Sequence, residues 1–132
     1  MIKRSLNERF GAKVLAGVKR TTMRLRPWKL GEVMLYHWAG KPYRSKHVDV
    51  CVVRVKWYVP VTMTIEGGDV MFSYPALEES GMNVELGVPL WQVEGFDSAA
   101  DLAQWFTSKY RPGVHELFLM GFERVNAETL KS

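Results

Sequence analysis

Apolar residues in this chain recur at two periods, and the switches between them mark its elements. Phe10, Val14 and Leu15 repeat at helical spacing, a stripe that a short helix buries on one face. Asn7 stands before the stripe as an N-cap and Gly17 follows it as a stop, which predicts a helix over 8–16. Val33, Leu35, Tyr36 and Trp38 predict a strand between turns at 27–31 and 39–42. The strongest strand signal covers 47–58, where Val48, Val50 and Val52 alternate with Asp49, Cys51 and Val53. Pro60 removes a ladder donor, so 61–65 is expected to form a separate strand that bends away or lies at an edge. Glu66-Gly67-Gly68-Asp69 is a turn signal, with a short strand expected over 70–74.

The pattern weakens over 75–90, where Gly81, Gly87 and Pro89 predict a loop or short irregular pieces. It returns with Asp97 or Ser98 as the cap of a helix reaching Lys109, with Leu102, Trp105, Phe106 and Tyr110 as its buried stripe. Pro112-Gly113 ends that helix, and 114–125 reads as the last strand. Several strands with two or so peripheral α-helices define an α+β fold, expected as a small, partly closed mixed β-barrel.

With 132 residues and no linker or repeat, the chain is expected to form a single domain over 1–132. Its one cysteine, Cys51, rules out an internal disulfide and lies in a valine-rich run, the setting of a buried strand thiol. There is no apolar leader after Met1-Ile2-Lys3-Arg4-Ser5 and no run long enough to span a membrane. A cytoplasmic protein without a membrane partner is expected. The net charge of +4 conceals an asymmetry. Residues 1–56 carry 14 Lys and Arg against three acids, and the remainder carries four against 11. Folding either gathers the cations on one face, which attracts polyanions, or interleaves the two halves.

The densest chemistry lies in Gly17-Val18-Lys19-Arg20-Thr21-Thr22-Met23-Arg24, where the spacing is G-x-K-x-x-T-x-R. A lysine three residues before a threonine can take its hydroxyl proton, and an arginine two residues further on offers a planar fork to an anion. A solvated basic turn has the same composition. Of the two threonines, the spacing favours Thr22, leaving Thr21 to satisfy the local backbone. A second basic group is Lys41-Pro42-Tyr43-Arg44-Ser45-Lys46 followed by His47. Cations flanking an aromatic ring suit phosphate contact with base stacking, and equally an exposed hairpin loop. Trp28 and Trp38 offer further stacking surface, whereas Trp57, Trp91 and Trp105 fit a core. His37, His47 and His115 are far apart and no metal-ligand or phosphate-loop spacing occurs, so no metal or cofactor is expected.

The octet resembles the signature of the ASCH domain, a small relative of the RNA-binding PUA domains. Gly31-Glu32-Val33, Glu94-Gly95-Phe96 before an amphipathic helix, and the strand through Phe118-Leu119-Met120-Gly121-Phe122 extend the resemblance, in order, over nearly the whole chain. It implies a PUA-like barrel. Some bacterial relatives are metal-independent amidohydrolases that remove the acetyl group of N4-acetylcytidine. Their catalytic lysine, threonine and glutamate match Lys19, Thr22 and Glu94 here, with Glu85 as the rival carboxylate. On that reading Thr22 is the nucleophile, Lys19 its base, and Glu94 a proton shuttle or binding group. Arg20 or Arg24 lowers the lysine pKa, and Arg24 or backbone N–H groups near Gly17 hold the oxyanion. Arg20, Arg24, Arg26, Lys41, Tyr43, Arg44 and Lys46 are the expected contacts to an acylated nucleoside or RNA. The alternatives are an RNA-binding module without turnover and a ribonuclease.

Overall fold

The valine-rich run at the centre of the chain becomes one 20-residue strand, β4 (His47–Glu66). From Val53 to Ile65 its odd-numbered residues point inward and are buried, while Lys56, Tyr58 and Pro60 between them are exposed. That is the period-two burial of a strand with one face on a core. The computed structural model describes residues 1–73 and 90–125. Among these, five more strands join β4 in a mixed sheet: β1 (Lys3–Ser5), β2 (Thr21–Arg24), β3 (Gly31–Trp38), β5 (Asp69–Ser73) and β6 (Gly113–Arg124). The order is β1-β3-β4-β6-β2, with β5 hydrogen-bonded to the far end of β4. Only the β1–β3 pair is parallel. With its short helices the fold is α+β.

Pro60 does not divide the strand as its chemistry suggests. β3 pairs with β4 as far as Val55 and β5 begins at Thr62, while β6 runs along the other edge from Val53 to Ile65. Pro60 lies in the gap between β3 and β5, where a missing N–H breaks no ladder bond on that side. A register shift between Val55 and Trp57 turns the Trp57 indole over Gly121 of β6. A Cβ built on Gly121 would meet that ring at 2.1 Å.

The first helix is shorter than its periodicity predicts. It divides into a 3-10 turn over Glu8–Phe10, capped by Asn7, and α1 (Gly11–Leu15). α2 (Leu90–Val93) is a single turn that the sequence pattern does not reveal. α3 (Ala99–Lys109) is the amphipathic helix expected from its stripe. Ser98 accepts from the Asp101 N–H, and Asp101 in turn accepts from the Asp97 N–H, a reciprocal N-terminal cap. Leu102 and Phe106 of α3, Val14 of α1 and Phe10 just before it join the strand residues in one buried cluster. The segment 74–89, including the rival carboxylate Glu85 and the expected loop, lies outside the described residues. No helix among the described residues is long and apolar enough to cross a membrane.

Candidate active site

The octet is a helix stop followed by a strand, rather than the loop its glycine and charges suggest. Gly17 takes φ +75° after α1 and its N–H is held by the Val14 carbonyl. The Val18 and Lys19 N–H groups both return to the Lys13 carbonyl, at 2.9 and 3.0 Å. The next peptide is fixed on both sides, from Arg20 N–H to the Val93 carbonyl and from Phe122 N–H to the Arg20 carbonyl. The chain thus enters β2 against β6, with Thr22 opposite Met120 and Arg24 opposite Phe118. From the other side, α2 delivers Glu94 and is stopped by Gly95 at φ +94°. A Cβ on Gly95 would stand 3.0 Å from the Phe10 ring and 3.2 Å from the Lys19 side chain. Glycine there lets the lysine pass beneath the turn.

Four polar side chains converge in the interior. Lys19, Thr21, Thr22 and Glu94 are 4%, 1%, 5% and 2% exposed. Lys19 Nζ donates to the Thr21 carbonyl at 2.7 Å and to the Glu94 carbonyl at 2.6 Å. It stands 3.8 Å from Glu94 Oε2, beyond hydrogen-bonding reach, and 4.7 Å over the Phe10 ring. The Thr21 hydroxyl donates to Glu94 Oε2 at 2.5 Å. Arg24 donates from a terminal nitrogen to the Ser5 carbonyl at 2.8 Å and more distantly from Nε to the Thr22 hydroxyl at 3.4 Å. The Arg24 guanidinium lies 5.0 Å over the Trp28 ring.

Burial drives the electrostatics. Desolvation lowers the Lys19 pKa to about 8, with Arg24 and Lys13 adding to the fall and Glu94 opposing it. Arg20, the other cation expected to help, contributes nothing to this shift. A neutral amine has two hydrogens and one lone pair. The Thr21 and Glu94 carbonyls take both hydrogens, so the lone pair remains for a partner in the adjoining cleft. At neutral pH about one lysine in ten is in that form. Desolvation also lowers the Arg24 pKa, yet guanidinium stays a cation throughout the useful range.

These groups border a cleft of about 530 Å³, within the usual range for small-molecule sites. Lys19, Thr22, Arg24 and Glu94 lie along it, Thr21 does not, and Phe10, Phe96, Trp105 and Phe106 supply apolar wall. Trp38, Pro42 and Tyr43 line it from the β3–β4 turn, and Lys109 and Tyr110 from the end of α3. Tyr43 is 89% exposed at φ +65°, its ring 5.2 Å from that of Trp38. The turn holding it is closed by Ser45, which accepts from the Gly40 N–H and donates to the Lys41 carbonyl.

The other expected contacts are not brought to the cleft. Arg20, Arg26, Lys41, Arg44 and Lys46 are exposed and line no part of it. Trp28 is buried in the core instead of offering a stacking face. The Gly17 N–H is already bonded within the helix stop, so of the two oxyanion donors considered Arg24 is the one at the cleft. Lys109 and the Thr21 hydroxyl were not among the expected residues. Read as a strand, the run Thr21-Thr22-Met23 would have sent its two threonines to opposite sides. Comparison of the chain with models of protein families, with curated proteins and with solved structures finds no match.

Proposed function

We propose that this chain is an ASCH-type, PUA-like protein that hydrolyses the amide of an acylated nucleoside such as N4-acetylcytidine. The observation that carries the reading is the buried Lys19 amine, fixed by two carbonyls beside the cleft that Thr22 and Glu94 also line. Such a lysine is a base near neutral pH, and a base is what a threonine hydroxyl lacks. The Thr22 oxygen attacks the acetyl carbonyl and its proton passes to Lys19. Arg24 stabilises the oxyanion, and Glu94 conveys the proton to the departing amine. Water then releases acetate from Thr22, again with Lys19 as base. The Trp38–Tyr43 wall suits a planar base stacked at the mouth. A partly closed barrel is the matching architecture, supported by the Arg24 side chain reaching from one end of the strand order to Ser5 at the other.

A second reading, an RNA-binding module without turnover, is favoured by the same aromatic wall beside the exposed cations of the β3–β4 turn. Both readings are consistent with a cytoplasmic protein. The test is release of acetate from N4-acetylcytidine by the wild type, Thr22→Ala and Lys19→Ala. Release by the wild type alone supports the hydrolase and its nucleophile–base pair. No release at high protein concentration rejects this substrate and favours the RNA module.

A further inference from the structure

Glu94 has two carboxylate oxygens in different surroundings. Oε2 accepts the Thr21 hydroxyl and faces Lys19 at 3.8 Å. Oε1 receives no hydrogen bond from any described residue. Since no buried side-chain polar atom among the described residues lacks a partner, Oε1 is open to the cleft that Glu94 lines. Thr21 does not border the cleft, so it cannot meet a ligand directly. It nevertheless touches both reactive groups, Glu94 through its hydroxyl and Lys19 through its carbonyl.

Resting on the amidohydrolase reading, we infer that Thr21 is a positioning residue that holds the Glu94 carboxylate off Lys19 and leaves Glu94 Oε1 as the oxygen that works in the cleft. Its hydroxyl is the only hydrogen-bond donor to Glu94 Oε2 among the described residues. Without it, the nearest donor to Oε2 is the Lys19 amine. The carboxylate then turns to that amine and closes an ion pair, which favours the ammonium. The base is lost and Oε1 is withdrawn from the cleft in one movement. Burial, the largest influence on Lys19, opposes this, and the neighbouring groups act on both sides. Arg24 on β2 and Lys13 on α1 disfavour its charge, while the Phe10 ring face favours it.

The experiment compares Thr21→Val, which keeps shape and removes the donor, with Thr21→Ser, which restores it. Lysine labelled with carbon-13 at the ε position reports the Lys19 titration, its signal identified by absence in Lys19→Arg. Thr21→Val is expected to move the Lys19 midpoint from about 8 to about 9 or higher. On N4-acetylcytidine it lowers kcat at neutral pH about tenfold, moves the rising limb of the pH profile by the same amount and leaves KM nearly unchanged. Thr21→Ser returns all of these toward wild type. A Thr21→Val protein with an unmoved Lys19 midpoint overturns the inference, whatever its melting temperature. Should Thr21→Val not fold, the wild-type Thr21 hydroxyl proton decides. A slowly exchanging resonance supports the inference, and rapid exchange with water overturns it. If the wild type does not deacetylate N4-acetylcytidine yet the midpoint moves as stated, the substrate reading fails while the role of Thr21 stands.

Discussion

Lys19 is a residue on which two tendencies collide. Two carbonyls, a carboxylate at 3.8 Å and an aromatic face favour its ammonium form, and burial opposes it. Burial prevails, since the pKa falls from 10.5 to about 8. The fall has a thermodynamic signature with a definite sign. Below about 8 the lysine is charged both folded and unfolded, and the folded state bears the full desolvation. Between about 8 and 10.5 the unfolded chain binds the extra proton, so stability rises with pH in that window. Lys19→Met lacks this dependence. Denaturant unfolding of both proteins across the window is expected to show wild type gaining about 3 kcal/mol relative to the variant. A constant difference would mean that Lys19 titrates normally in the fold. Lys19, Thr22 and Glu94, singled out by spacing and resemblance, border one cleft. The hydrogen bond of Thr21 was not legible in the sequence, because it reaches a carboxylate 73 residues away, and nothing in the octet announces that partner.

At the level of elements, the periodic segments were legible and the unperiodic ones were not. β4 and α3 follow their apolar alternation and stripe closely. β1 and β2, of three and four residues, are too short to show a period, and α2 is a single turn. Pro60 misleads because the cost of a proline in a strand depends on which edge is paired, a fact of topology. Two glycines show the reverse, where a close contact makes a small residue obligatory. Gly121→Ala drives a methyl into the Trp57 indole. Chemical denaturation is expected to show a loss of about 1–3 kcal/mol as Trp57 is displaced. Gly95→Ala acts nearer the chemistry. It strains a left-handed residue and presses on Phe10 and the Lys19 stem, a loss of about 1–3 kcal/mol. Because Glu94 and Lys19 are clamped through that turn, the proposed deacetylation should fall by more than the unfolded fraction accounts for. A Gly95→Ala protein as active per folded molecule as wild type would show that the turn only stabilises the fold.

Across the whole molecule, the charge asymmetry resolves into interleaving with a remainder. Arg9 pairs with Asp101, Lys13 with Asp97, and Arg54 and Lys56 with Glu123. Each pair joins the cationic half of the chain to the anionic half. No described carboxylate pairs with Lys41, Arg44 or Lys46, which share the β3–β4 turn with the cleft-lining Pro42 and Tyr43. Sequence could count these charges but could not say which would be neutralised, since pairing is decided by strand order and helix docking. The remainder separates the two functional readings. A free nucleoside has no phosphates for these cations to meet, whereas a single-stranded RNA threading past Tyr43 does. If RNA is the ligand, its affinity should fall steeply with salt, and replacing all three cations by glutamine should flatten that slope by about 2 in log–log terms. Fluorescence anisotropy with a short labelled RNA over a salt series measures both slopes. Equal slopes for the two proteins would show that the turn carries no phosphate contacts, leaving its aromatic residues to act on a ligand held inside the cleft.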